Sequence, residues 1–129
     1  MKFYIASRTK HRKLVEEIHK QVVRKGYEFM STWVDEGEII PYEKNISASS
    51  KRAERCVRDS SGCDVFVLIS DDSGSGMYTE LGVALLSNVN SGKPKIYVIG
   101  DHISRSVFFF HPSVKRVLNI EEVFKDIKK

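Results

Sequence analysis

Cysteine, long apolar runs and closely spaced histidines are all scarce in this 129-residue sequence, and each scarcity excludes a class of protein. The two cysteines, Cys56 and Cys63, stand seven positions apart without a Cys-x-x-Cys pair, which argues against a disulfide framework and a zinc site. The longest apolar run, Val65 to Ile69, has five residues, whereas a membrane-spanning helix needs about 20. We therefore expect neither a metal centre nor a membrane span.

The excess of positive over negative charge is small as well. Lys and Arg number 21 and Asp and Glu number 17, which leaves a net charge of only +4. Such a mild excess suits an anionic small molecule but is too small to indicate nucleic acid without a concentrated basic patch. The opening segment turns polar after Ala6, so we expect no signal peptide. Together with the unpaired cysteines, this predicts a cytoplasmic protein that binds a small molecule.

Short apolar strands alternate with helical segments along the chain. We predict strands at Lys2–Ala6, Tyr27–Val34, Asp64–Ser70 and Lys95–Ile99, and a short one near Val117–Leu118. We predict helices with an apolar face from Leu14 to Val22, over Ser49–Ser61, from about Met77 to Asn90, and from Ile120 to Ile127. The segment from Asp35 to Ser47 is expected to be a long polar loop.

This alternation predicts a single α/β domain of the flavodoxin/Rossmann-like class over residues 1–129. The expected sheet is five-stranded and parallel, with strand order 2-1-3-4-5 and helices on both faces. In that order the switch point lies between the first and third strands, and ligands bind outside the carboxyl ends of the strands there. The segment Ser7 to Lys10 is then expected to face the segment Asp71 to Glu80.

Glu80, near the predicted start of a helix, is the residue most suggestive of chemistry. The preceding loop, Ser73-Gly74-Ser75-Gly76, offers backbone N–H groups to an anion. It is neither a P-loop nor a Gly-x-Gly-x-x-Gly motif, because no Gly-Lys pair follows and Thr79 occupies the third glycine position. As an exposed first-turn residue, Glu80 would simply favour the helix dipole; beside a ligand, its carboxylate could act as nucleophile or base.

Several blocks of the sequence resemble one known family. Cys63 to Ile69, the block Tyr-Thr-Glu-Leu-Gly-Val-Ala at 78–84 and the turn Gly92-Lys93-Pro94 resemble the nucleoside 2-deoxyribosyltransferase superfamily. That group includes the deoxynucleoside 5′-monophosphate N-glycosidases. The opening Phe3 to Ser7 looks like the family's first strand, with Ser7 where a glycine is usual. The similarity extends over most of the chain.

The resemblance implies cleavage or transfer at the N-glycosidic bond of nucleosides or their 5′-monophosphates, through a covalent glycosyl-glutamate and without a cofactor, in a homodimer. It implies that Glu80 is the nucleophile and that Tyr4 orients it. Ser73, Ser75 and Gly76 fall in the loop that holds the sugar 5′ group or its phosphate. The other expected substrate-binding residues are Ser7, Arg8, Lys10 and, at a neighbouring subunit's site, Ser106.

Cys56 departs from the family's pattern. The resembled proteins usually carry an aspartate there, eight residues before the Asp of the third strand, and it handles the proton of the departing base. Asp59 and Asp71 are candidate replacements. Two alternatives therefore stay open, a catalytically weak or silent nucleotide-binding module and a phosphoribohydrolase of the Gly-Gly-x-Gly-Thr-x-x-Glu type. The aromatic cluster Phe108–Phe110 is predicted to form either a subunit interface or part of the core.

Overall fold

Five short parallel strands form the sheet of the computed structural model, which describes residues 1–128. The strands are β1 (Lys2–Ala6), β2 (Glu28–Phe29), β3 (Val65–Ile69), β4 (Lys95–Ile99) and β5 (Val114–Arg116). Their order, β2-β1-β3-β4-β5, confirms the predicted topology. Every residue of β3 is buried, as expected for the centre of a parallel sheet that is covered on both faces.

Within residues 1–128, four α-helices cover the sheet. They are α1 (Arg12–Arg24), α2 (Ile46–Gly62), α3 (Gly76–Ser91) and α4 (Ile120–Ile127). Successive side chains of β1 point to opposite faces, so Phe3 packs on Phe124 of α4 with 5.8 Å between ring centroids, while Tyr4 reaches Glu80 of α3. The helices therefore lie on both faces of the sheet, as predicted. None of those in the described part of the chain is long and apolar enough to cross a membrane.

Gly92 ends α3 at the predicted position. Its φ of 81° lies in the left-handed region, which glycine adopts without steric cost, and its N–H donates to the Asn88 carbonyl at 2.7 Å. The turn that follows leads directly into β4. The Gly-Lys-Pro signal in the sequence thus fixes both the end of α3 and the start of the next strand.

The predicted second strand, Tyr27–Val34, is wrong over most of its length. Only Glu28–Phe29 pairs with β1, and the chain then forms a 3₁₀ turn at Thr32–Asp35. Here side chains replace the main-chain ladder: Ser31 Oγ accepts the N–H of Ile5 and Trp33 Nε1 donates to the Ile5 carbonyl, both at 3.0 Å. Because these side chains satisfy the backbone groups of Ile5, the segment is buried beside β1 without being a strand.

Two other predicted boundaries are displaced. The last strand lies at Val114–Arg116 rather than at Val117–Leu118, although the Val117 N–H still donates to the Val98 carbonyl at 2.9 Å. Helix α2 begins at Ile46, three residues earlier than predicted. A three-residue edge strand and a helix start without a side-chain cap both give weak sequence signals, which explains these errors.

Arginines hold the segment between β2 and α2 against the rest of the protein. Arg12 donates to the Glu36 carbonyl at 2.8 Å, and Arg52 donates to the Gly37 carbonyl at 2.7 Å. Arg55 pairs with the Glu36 carboxylate. Hydrogen bonds from guanidinium groups are charge-assisted and directional. The polar segment expected to be a simple loop therefore forms a wall beside the end of β1.

Candidate active site

A cavity of about 540 Å³ lies at the carboxyl ends of β1 and β3, the switch point predicted from the sequence. Its volume falls within the roughly 300–1,000 Å³ typical of small-molecule sites. Residues 7–9, after β1, and residues 74–80, after β3, line one side. The opposite wall comes from the segment 33–57, which includes the start of α2. The cavity brings together these predicted residues: Ser7, Arg8, Ser75, Gly76 and Glu80. Tyr4 lies behind the lining and contacts Glu80.

Tyr4 and Glu80 form a hydrogen-bonded pair at this cavity. The Tyr4 hydroxyl donates to Glu80 Oε2, and the Tyr4 side chain is fully buried beneath it. Helix α3 begins at Gly76, which places Glu80 in its second turn and not in the first turn as expected. The Glu80 side chain is partly buried there. Burial raises the pKa of Glu80 from its ordinary 4.5 to about 7. The pair thus presents a carboxylate whose orientation Tyr4 fixes.

Cys56 of α2 lines the same cavity, half-buried, and its thiol approaches the Tyr4 hydroxyl. Burial raises the pKa of the Cys56 thiol above its ordinary value. Burial also holds the pKa of Tyr4 well above its usual range, helped by the nearby Glu80 charge. Both Cys56 and Cys63 are free thiols. The position where the resembled family carries an aspartate therefore faces the cavity and holds a weak acid.

The start of α3 presents unpaired N–H groups to the cavity. The first N–H groups of any helix lack intrahelical partners, and in α3 no side chain caps them and no acidic residue lies in the first turn. Arg8 approaches this end across Gly74, where an added Cβ would lie 3.1 Å from Arg8 Cγ and the φ is +116°. Helix N–H groups and a guanidinium on one cavity make a site for an anion.

Asp71, expected to act in catalysis, does not line the cavity of its own chain. Asp71 is only 3% exposed. Its carboxylate forms ion pairs with Arg8 at 3.2 Å and Lys10 at 3.5 Å, and it also contacts the His11 ring. The hydrogen bond from His11 does most to hold the pKa of Asp71 well below its usual range. A carboxylate held ionised cannot supply a proton. The Ser73 N–H also donates to the Asp71 carboxylate, at 3.2 Å. Neither Lys10 nor Ser73 lines the cavity.

Ser106 and Asp59 likewise do not line the cavity of their own chain. Ser106 begins a 3₁₀ turn, where its Oγ accepts the N–H of Phe108 at 3.2 Å. Asp59, the other candidate for the missing aspartate, is buried elsewhere on α2 and contacts Arg58 at 3.4 Å. Within residues 1–128, no group of three His, Cys, Asp or Glu side chains is arranged to hold a metal ion.

The wall formed by residues 33–57 is the part of the site that the sequence analysis missed. Aromatic, aliphatic and basic side chains form much of it: Trp33, Ile39, Tyr42, Arg52, Ala53 and Val57. The available signal was the presence of apolar residues in an otherwise polar segment. That signal did not show that arginine contacts fold the segment back over the end of β1.

The raised pKa of Glu80 predicts a pH-dependent effect on stability. The protonated Glu80 side chain contributes fully to the free energy of unfolding below its ordinary pKa of 4.5. This contribution is lost as pH rises through about 7, because the folded state then holds a buried charge. Glu80→Gln cannot ionise, so we expect it to exceed the wild type in free energy of unfolding at pH 8 by up to about 3 kcal/mol, with little difference at pH 5.

Urea unfolding at the two pH values measures this difference. Glu54→Gln, at an exposed position of α2 outside the cavity, is the matched control and should show no such change between pH 5 and pH 8. Equal effects of Glu80→Gln at both pH values would contradict a buried, titrating Glu80.

Comparison with known proteins shows similarity in fold but no match in sequence. No family model matches the sequence, and no curated protein matches it. Among solved structures, the chain is similar to the CMP N-glycosidase BcmB of Clostridium botulinum, with a TM-score of 0.64, 14% sequence identity and 100% of each chain covered. The likeness spans the whole domain and confirms, at the level of the fold, the resemblance seen in the sequence. The chain therefore shares its fold, over its full length, with the CMP N-glycosidase BcmB.

Proposed function

We propose that this protein cleaves the N-glycosidic bond of nucleosides or, preferentially, of their 5′-monophosphates. The observation that carries the proposal is the Tyr4–Glu80 pair, a carboxylate oriented by a buried phenol at the edge of a nucleotide-sized cavity. The shared fold with a CMP N-glycosidase supports the same class of reaction. Neither support depends on a metal or a cofactor.

In the proposed reaction Glu80 attacks the anomeric carbon of the sugar. Its carboxylate oxygen forms a bond to C1′ while the bond from C1′ to the base breaks, through an oxocarbenium-like transition state. Water then hydrolyses the glycosyl ester, or a second base displaces it. Tyr4 holds one carboxylate oxygen so that the other can face the sugar. Because the nucleophile must be ionised, a pKa of about 7 lets Glu80 work near neutral pH while remaining partly buried.

A 5′-phosphate fits the anion site described above. Arg8 and the N–H groups at the start of α3 converge on the cavity from opposite sides of the switch point. Asp71 holds Arg8 through a guanidinium nitrogen at 3.2 Å, and a guanidinium has further N–H groups to offer a phosphate. We therefore assign Asp71 the role of a positioning residue for Arg8.

Incubation with a panel of nucleosides and 5′-monophosphates, followed by chromatography for free base, tests the proposed function. Free base is expected from at least one nucleotide. Adding a second free base to the reaction separates hydrolysis from transfer, because only a transferase forms the exchanged nucleotide. Binding of the nucleotides without any release of base would instead identify a silent binding module.

We also propose that the chain forms a homodimer through the turn Val107–Phe110. Phe109 lies in the core, stacked on Tyr78, whereas Phe108 and Phe110 are 61% and 54% exposed. Adjacent exposed aromatic rings are typical of interaction surfaces. Light scattering should give a dimer for the wild type and a monomer for Phe108→Ser, which leaves the core intact. A monomer in both cases would contradict this interface.

A further inference from the structure

The cavity contains a single carboxyl group. Among the described residues that line it, Glu80 alone is acidic and none is a histidine or a lysine. Guanidinium groups do not give up their protons. The Cys56 thiol is a poor acid, because burial raises its pKa. Tyr42 is a phenol, a weak acid by type, and it is 63% exposed. Within the described residues of one chain, the site therefore holds a nucleophile without a separate proton donor.

This composition restricts which bases can leave. A neutral purine or pyrimidine departs readily when an acid protonates it as the glycosidic bond breaks, an effect of about 10²–10⁴-fold. Glu80 cannot supply that proton while it is the ionised nucleophile. A base that leaves as an anion needs a cation nearby whose charge is not already paired. Arg52, on the wall of the cavity, donates through one guanidinium nitrogen to the Gly37 carbonyl at 2.7 Å, and its charge is paired with the Glu36 carboxylate at 3.7 Å, which weakens its attraction for an anionic base.

We propose, on the basis of the N-glycosidase function above, that the substrate is a nucleotide whose base is already cationic in the glycosidic linkage, such as a pyridinium or an N7-alkylated purine. The Glu80 carboxylate bonds to C1′ as the C1′–N bond breaks, and the electron pair of that bond returns to the ring nitrogen. The base leaves neutral, without proton transfer. Water then cleaves the glycosyl ester, placing its hydroxyl on C1′ and its remaining proton on the Glu80 carboxylate.

The wall on the base side suits a flat cation. Trp33 and Tyr42 contribute aromatic rings to the lining, and an aromatic face attracts a cation placed over it. Ile39 adds apolar surface, and the ionised Glu80 adds a negative charge on the other side. A nucleotide with a cationic base carries its phosphate at the opposite end, where Arg8 lies. The phosphate of such a substrate therefore matches Arg8, and its cationic base matches the aromatic rings and Glu80. The Arg52 guanidinium on the same wall is paired with the Glu36 carboxylate at 3.7 Å.

The test uses two pairs of nucleotides that differ in the charge of the base. N7-methylguanosine 5′-monophosphate is paired with GMP, and nicotinamide mononucleotide with CMP. Selectivity is the ratio of kcat/KM for the cationic member to that for its neutral partner. The wild type should cleave the cationic members at least about 100-fold faster, and Cys56→Asp, which installs a proton donor, should lower this selectivity by about 100-fold. Cys56→Asn, similar in shape but without an acidic proton, should not lower it.

The outcomes separate this inference from the proposed function. Cleavage of GMP and CMP by the wild type within tenfold of their cationic partners overturns the inference and leaves the N-glycosidase function in place. Equal changes of selectivity in Cys56→Asp and Cys56→Asn also overturn it. Failure of the wild type and both variants to release base from any of the four nucleotides, and from any member of the panel that tests the proposed function, removes the N-glycosidase function itself.

Discussion

Glu80→Gln should release base from the best substrate of the panel at least about 1,000-fold more slowly than the wild type. An amide is a poor nucleophile, and it cannot form the glycosyl ester at a useful rate. The substitution is isosteric, and its amide oxygen can still accept the hydrogen bond from Tyr4, so the geometry of the cavity should be preserved. Steady-state measurement of free base at pH 8, where the wild-type carboxylate is mostly ionised, gives the comparison.

The exposed Glu54→Gln variant is the control for loss of a glutamate as such, and its rate should equal that of the wild type. Circular dichroism and binding of GMP, whose base is neutral, should show that Glu80→Gln stays folded with an intact cavity. A rate within tenfold of the wild type for Glu80→Gln would exclude Glu80 as the nucleophile.

Arg8→Gln should remove the preference for a 5′-phosphate. The side chain lines the cavity and faces the open start of α3, so we expect its guanidinium to contact the phosphate directly. Well-formed charge-assisted hydrogen bonds contribute about 1.5–3 kcal/mol, so affinity for the monophosphate should fall about 10- to 100-fold. Affinity for the corresponding nucleoside should change little. Calorimetry at low salt in the Glu80→Gln background measures both affinities without turnover.

Lys10→Gln is a closely matched control, because Lys10 contacts the same Asp71 carboxylate but does not line the cavity. Both variants lose one positive charge near the site, so a general electrostatic effect would weaken phosphate binding in each of them. An effect confined to Arg8→Gln supports direct contact. The same ratio of monophosphate to nucleoside affinity in Arg8→Gln and the wild type would rule out the phosphate site.

Strong hydrophobic and turn signals made most of the fold predictable from the sequence. The buried run Val65–Ile69 and the Gly92 turn identified the central strand and the end of the following helix. The alternation of strands and helices predicted a parallel sheet, for which the common doubly wound order was the expected one. The segment after Phe29 was not predictable, because its buried residues are held by the side chains of Ser31 and Trp33 instead of a ladder. Apolar alternation alone does not distinguish these two arrangements.

The candidate site was predictable where residues follow directly from the ends of strands. Glu80, Arg8 and Ser75 meet at the switch point because β1 and β3 are neighbours. The surroundings of Asp71 were not predictable, because sequence position does not reveal that basic side chains contact its carboxylate. The wall around Tyr42 was missed because it depends on long-range arginine contacts to loop carbonyls, which leave no periodic pattern in the sequence.

Trapping of the glycosyl-enzyme tests the central claim most directly. The 2′-deoxy-2′-fluoroarabino analogue of the best substrate of the panel is suited to this, because its fluorine destabilises the oxocarbenium-like transition states and slows release of the sugar. Intact-mass measurement should show one added fluorinated sugar phosphate, and peptide mapping should place it on Glu80. An unmodified protein under conditions where the parent substrate is cleaved, or a label on another residue, would contradict Glu80 as the nucleophile of an N-glycosidase.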